Sequence, residues 1–246
     1  MIPRYYVVAE RDHQLQNPTS PEKLLLLGER VGLGAKTRVL DIASGRGGPA
    51  LLLAKEFGCT VHGIEITPEF HAAALERAAG EGVADRVTFE LANAAEASLG
   101  DDAYDVALCL GASFVWGGLA GTLDALEPAV HAGGYVAVGE PFWRASELPA
   151  DYADRDEPFT SLEGTVAILE SGELVAASLI ASSADDWDRY ETLHWRAVET
   201  WLAENPDHPD APQIRTTHQR AKRNYIRYGR DHLGWAIFIG WKPAPR

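Results

Sequence analysis

The sequence predicts an α/β protein: a doubly wound, mostly parallel sheet of seven strands, with helices on both faces and a helical cap inserted before the last strand. Three observations carry this expectation. Short apolar runs rich in Val, Ile and Leu alternate with helical periods, the mark of repeated βα units whose strands are buried on both sides. A glycine-rich turn, Gly45-Arg-Gly47-Gly48, directly follows the first of those runs. A long helical stretch then separates the last two strands. At 246 residues and 46% hydrophobic composition, the chain can bury one sizeable core, so residues 1–246 read as a single domain with elaborations.

The elements follow in order. Residues 1–36 read as an N-terminal lid and a helix. The helix starts at Thr19 or Ser20, where Thr19-Ser-Pro-Glu22 supplies a cap, a first-turn proline and a capping-box glutamate. Strands are expected at 38–43, 60–66, 86–91, 104–110 and 135–140, so that 37–140 forms a nucleotide-binding βα core. Residues 141–160 carry prolines and charges without a period and read as an inserted loop. A helix at 162–169 and a strand at 174–181 follow. The cap spans 185–231, broken between Asn205 and Pro212, and the final strand covers 235–241.

Charge narrows the function. Twenty-two Lys and Arg against 36 Asp and Glu give a formal net charge of −14, which repels a phosphate backbone, so no nucleic-acid partner is expected. Charges at Arg4, Glu10, Arg11 and Asp12 interrupt the N-terminus, and no later run reaches membrane-spanning length, so no membrane partner and a cytoplasmic location are expected. Cys59 and Cys109 sit in apolar strand contexts with no metal-ligand spacing. They read as core hydrophobes of a reducing compartment; no metal is expected, and methylation of a soft metal or of arsenic is disfavoured. The assembly expected is a monomer or a homodimer.

The segment Val39-Leu-Asp-Ile-Ala-Ser-Gly-Arg-Gly-Gly-Pro-Ala50 carries the chemistry. Gly45 and Gly47 allow positive φ and close approach of a ligand, and the helix beginning near Gly48 presents free N–H groups. Gly45-x-Gly47-x-x-Ala50 with Glu65 at the next strand end also meets the dinucleotide fingerprint. Two features favour S-adenosylmethionine (SAM) over NAD. Asp41 at the end of the strand would repel a pyrophosphate but attract the cationic methionine end of SAM. A helix also precedes the first strand, whereas an NAD domain commonly opens on that strand.

VLDIASGRG resembles motif I of the class I SAM-dependent methyltransferases, which are Rossmann-like, with Ala43 at the first glycine of the usual triplet. The resemblance extends over most of the chain, to an uncharacterised bacterial branch with no known substrate. It implies cofactor contacts from Asp41, Ala43, Ser44, Gly45 and Gly47. It further implies that Glu65 binds the ribose hydroxyls, Ile66 packs on adenine, Asn93 and Ala94 meet the adenine amino group, and Leu110 and Gly111 line the methionine. S-adenosylhomocysteine would be the product and a small molecule the acceptor.

Methyl transfer from a sulfonium is an in-line displacement, so alignment and exclusion of water matter most. Candidate acceptor contacts at strand ends are Trp116, Phe142 and Trp143, with Tyr6 and Tyr5 from the lid and Trp195 from the late helix. Candidate general bases are Glu140, His13 and His194. Trp187, Tyr190, His194, Ala197, Val198 and Trp201 share one helical face and read as a buried stripe. Arg215, Arg220, Lys222, Arg223, Arg227 and Arg230 read as a solvated face or as a holder of an acceptor anion. Two alternatives remain open here: a SAM-binding protein without catalysis, and an NAD-dependent oxidoreductase.

Overall fold

The computed structural model describes residues 2–244; Met1, Pro245 and Arg246, the ends of the 1–246 span, lie outside the described residues. Its centre is a seven-stranded sheet in the order β3-β2-β1-β4-β5-β7-β6. The strands are β1 (Arg38–Ile42), β2 (Thr60–Glu65), β3 (Val87–Leu91), β4 (Tyr104–Leu110), β5 (Val130–Trp143), β6 (Val175–Ala181) and β7 (Leu233–Trp241). β1 to β5 pair in parallel, while β7 runs antiparallel to both β5 and β6.

Strand alternation sends neighbouring residues to opposite faces, and each face is covered. Val39, Leu108 and Ile237 pack with Leu24 and Leu27 of α2 (Pro21–Arg30) and Leu53 of α3 (Gly48–Phe57). Leu40, Ile42 and Phe238 pack on the other side with Leu123 and Leu126 of α5 (Leu119–Leu126) and Leu169 of α6 (Leu162–Leu169). α4 (Pro68–Gly80) joins β2 to β3. Cys59 and Cys109 are free thiols, both buried.

The helical region consists of α7 (Ala184–Glu204), α8 (Ala211–Asn224), a π turn over Tyr225–Gly229 and α9 (Arg230–His232). α7 starts with a capping box: the Ser183 hydroxyl accepts from the Asp186 N–H at 3.2 Å, and the Asp186 carboxylate accepts from the Ser183 N–H at 2.8 Å. Its inward stripe meets α1 (Arg4–Ala9), where Val8 and Ala9 pack on Val198, Trp201 and Leu202.

Three sequence expectations are corrected, and one element is added. Ser20, not Thr19, caps α2, because its hydroxyl accepts from the Lys23 N–H at 3.3 Å; Glu22 is therefore one position short of a capping box. The segment expected as loop from 141 begins as strand, since β5 continues beyond Glu140 to Trp143 against β7. Pro141 is tolerated there because β4 leaves β5 after Gly139, so no partner on that side needs its missing N–H. The break in the cap ends before Pro212, which occupies the first turn of α8. The lid contains a helix, α1, whose six residues were too few to show a period.

Leu24 has no exposed surface. Leu24→Ala is expected to lower unfolding free energy by about 2–5 kcal/mol through lost burial and the cavity left behind. Urea or guanidinium unfolding measures it, and a loss below about 1 kcal/mol would contradict the packing of α2 into the sheet.

Candidate active site

β1 ends at Ile42, and the chain reverses through residues in left-handed backbone: Ala43 at φ +52°, Gly45 at +57° and Gly47 at +76°. Ala43 holds this conformation with a Cβ, a strain of about 1–3 kcal/mol of the kind that collects at ligand sites. The turn is fastened from below by Glu65, at the end of β2. Its carboxylate accepts from the Gly45 N–H at 2.9 Å and the Thr67 N–H at 2.7 Å, and the Ser44 N–H donates to the Ile64 carbonyl at 3.1 Å. Glu65 is thereby held rigid, with lone pairs left for a further donor.

From above, the segment 14–17 closes on the same turn. The Gln16 Oε1 accepts from the Arg46 N–H at 2.7 Å, and the Asn17 amide donates to the Leu110 carbonyl at 3.3 Å. The approach is so close that a Cβ on Gly48 would stand 1.8 Å from the Gln14 carbonyl oxygen, and one on Gly45 2.1 Å from Gln16 Oε1. Glycine at 48 is a packing requirement. The next residues dock on the cap: the Ser182 hydroxyl donates to the Pro18 carbonyl and Arg189 to the Thr19 carbonyl.

Between turn and closing segment lies a cavity of about 470 Å³. Asp41, Ala43, Ser44, Gly45, Glu65, Ile66, Leu110, Gly111 and Tyr6 line it, bringing together most of the candidate cofactor residues and one acceptor candidate. Gly47 caps α3 behind the wall, where a Cβ would meet the Phe89 ring at 2.9 Å. Asn93 is engaged locally: its carbonyl accepts from the Ala95 N–H at 3.2 Å and its amide donates to Glu96 at 2.8 Å. Ala94 and Trp116 line a different depression.

Other candidates lie outside this cavity's lining. Phe142 is buried against Phe238, because the continuation of β5 turns alternate residues into the core. Trp143 packs on Tyr152 and Phe159. Trp195 packs on Tyr225 with the Lys222 ammonium 4.7 Å above its ring. His13 and His194 are buried beside Glu10. Tyr5 packs edge-on against Tyr6. Among the cations of the late helices, Arg227 pairs with Asp151 at 2.7 Å and Arg230 with Asp188 at 2.9 Å, outside the cavity. Sequence reasoning missed Gln14, Gln16, Asn17 and Phe114, which also line the cavity, and placed Tyr190, another lining residue, only in the buried stripe of α7. Phe114, two residues before Trp116 on the one-turn helix Ser113–Trp116, was accessible to the same reasoning; the others required knowledge of how the N-terminus folds back.

Three carboxyls are pushed up to about 7, Asp41, Glu140 and Glu191, and of these Asp41 alone lines the cavity. Asp41 is 2% exposed, its Oδ2 has no hydrogen-bond partner, and burial together with the charge of Glu65 pushes its carboxyl up to about 7. Burial likewise pushes Glu140 up to about 7, against a hydrogen bond with Ser113, and its Oε1 has no partner. An unpaired, buried acid in a cavity wall fits a cationic ligand head better than it fits a phosphate. The residues present therefore suit the methionine end of SAM at Asp41 and a hydroxylated ribose at Glu65.

Comparison with known proteins agrees. Residues 39–134 match a family described as a methyltransferase domain. A SAM-dependent methyltransferase from Geobacter sulfurreducens, solved with S-adenosyl-L-homocysteine, superposes with a TM-score of 0.90 at 35% identity over 100% of this chain and 99% of that one. One from Thiobacillus denitrificans, also solved with S-adenosyl-L-homocysteine, gives a TM-score of 0.90 at 34% identity over 98% and 99%. The uncharacterised protein YjhP of Escherichia coli (strain K12) is 33% identical over 244 residues, 96% of this chain and 97% of its own length. This decides between the two cofactors that the glycine fingerprint allowed: the chain belongs to the class I SAM-dependent methyltransferases.

Proposed function

We propose that the enzyme methylates O, N or S of a small molecule bound beside SAM in this cavity. The observation that carries this reading is Asp41: a buried acid with an unpartnered oxygen in the wall of a cavity that is walled elsewhere by Ile66, Phe114, Val115 and Tyr6. SAM, when bound, supplies a methyl group on a sulfonium already activated for displacement. The protein's part is placement. Asp41 holds the ammonium of the methionine end, Glu65 accepts from ribose hydroxyls with its remaining lone pairs, and Ile66, 42% exposed at the cavity mouth, offers an apolar surface to adenine. Gln14 to Asn17 and Tyr190 exclude water over the reacting atoms.

Size and charge support a small acceptor. The cavity falls within the range of about 300–1,000 Å³ typical of small-molecule sites. Chain segments 14–17 and α7 cover it, and a net charge of −14 opposes a polyanion. Among the described residues no helix is long and apolar enough to cross a membrane. We place the enzyme in a reducing compartment, the cytoplasm, on the strength of its two buried free thiols.

Asp41→Asn and Glu65→Gln are each expected to weaken SAM binding by about 1–3 kcal/mol in calorimetry, the cost of losing hydrogen bonds to charged groups. Wild-type affinity in both variants would contradict the placement. Because the Asp41 carboxyl lies near 7 without ligand, and only its ionised form attracts an ammonium, affinity should climb as pH rises from 6 to 8, with proton release on binding below 7. Asp41→Asn should flatten that slope. Gly48→Ala should displace segment 14–17 and raise the Kd for SAM while β1 to β5 stay folded, read by calorimetry beside circular dichroism. Incubation of metabolite fractions with methyl-labelled SAM tests the acceptor class: labelled small product supports it, and label appearing only on macromolecules overturns it.

A further inference from the structure

At the cavity wall, the residue that ends α1, the one that precedes the closing segment and α7 bring three ligand-type side chains together. Atoms of Glu10, His13 and His194 all lie within 4.8 Å of one another, and the three residues are buried to 5%, 1% and 6% exposure. Two polar atoms in this cluster, Glu10 Oε2 and His13 Nδ1, have no hydrogen-bond partner.

The hydrogen-bond pattern explains why they are unpaired. His13 Nε2 stands 2.9 Å from the Tyr190 carbonyl, which can only accept, so Nε2 carries the hydrogen and Nδ1 of the neutral ring presents its lone pair. That lone pair faces the Glu10 Oε2 at 3.6 Å. Two acceptors face each other in a buried site, a costly arrangement unless a positive centre lies between them. A proton on His13 Nδ1 is a poor candidate, because 3.6 Å is too long for a hydrogen bond. The spacing of this pair is nearer to that of metal ligands, since tetrahedral bonds of about 2.0–2.1 Å set neighbouring ligand atoms roughly 3.3 Å apart, and the three ligand atoms all lie within 4.8 Å of one another.

We propose that Glu10, His13 and His194 form a binding site for a divalent transition cation, with Zn²⁺ the chemistry that best suits two imidazoles and one carboxylate. His13 binds through Nδ1, Glu10 through its carboxylate, and His194 through Nε2 after giving up the hydrogen that it shares with Glu10 Oε1 at 2.8 Å. The surrounding shell is already built. The Tyr190 carbonyl fixes the His13 tautomer, and the Tyr190 hydroxyl donates to Glu10 Oε1 at 2.8 Å, the two kinds of contact that orient metal ligands. Three protein ligands leave a fourth position, and Glu10 and Tyr190 also line the SAM cavity. The cation therefore borders the site where an acceptor heteroatom can complete its coordination. The proposal stands apart from the acceptor's identity.

The test titrates the full chain, with any affinity tag removed, with Co²⁺ as a visible probe and Zn²⁺ as competitor. One equivalent of Co²⁺ should bind with the absorption bands of a low-coordinate N,O site, and Zn²⁺ should displace it. His13→Ala and His194→Ala should weaken uptake by at least about tenfold while S-adenosylhomocysteine still binds, which shows that the fold persists. As a readout free of substitutions, bound Co²⁺ should broaden the imidazole proton resonances of His13 and His194 in the wild-type chain and spare those of His62 and His131. No stoichiometric uptake, uptake unchanged in both variants, or broadening confined to other histidines would each overturn the proposal.

Discussion

The structure depends on one constraint: the glycine turn after β1 is held from two sides at once. Below, Glu65 accepts both the Gly45 and the Thr67 N–H, tying the turn to the end of β2. Above, Gln16 accepts the Arg46 N–H, and the Gln14 carbonyl sits where any side chain at 48 would be. Hydrogen bonds to a carboxylate and between amides are directional, so the turn has one shape that satisfies both partners. The cavity is what remains between them. Its lining follows from β-strand ends that the parallel sheet presents at one edge.

This arrangement couples distant parts of the chain. The closing segment that ends at Asn17 also carries Pro18 and Thr19, whose carbonyls accept from Ser182 and Arg189 at the start of the cap. Lys23 of α2 pairs with Asp186, the residue that completes the capping box of α7. Cap, lid and sheet are therefore joined through short polar contacts around an apolar packing of α1 on α7. Such contacts are individually worth about 0.5–1.5 kcal/mol when neutral and about 1.5–3 kcal/mol when one partner is charged.

What could be read from the sequence was what the chain encodes locally. Asp41, Gly45 and Glu65 belong to consecutive βα units, so strand ends, turn and helix start announce themselves within a few residues. The order of helices and strands was readable for the same reason, down to α6 at 162–169. Facing was harder. Phe142 and Trp143 were readable as strand-end aromatics, but whether each looks into the cavity depends on how far β5 continues, and it continues to Trp143 because β7 pairs with it from Leu233 onward; Trp116 sits on the one-turn helix after β4, whose facing no strand period reports. Asn93 occupies the right place in the chain, yet a free N–H two residues later and Glu96 claim its side chain. Long-range pairing was beyond reach: Glu10 meets His194 across 184 positions, and no periodicity reports that contact.

The central claim is that a ligand lies under residues 14–17, its cationic end at Asp41 and its hydroxyls at Glu65. A crystal structure of the chain with S-adenosylhomocysteine tests this most directly. The ligand's ammonium within hydrogen-bonding distance of the Asp41 carboxylate, with both ribose hydroxyls on Glu65 and segment 14–17 closed above them, is the predicted result. A ligand seated elsewhere on the sheet edge, or one that leaves the Asp41 Oδ2 unpaired, would contradict it.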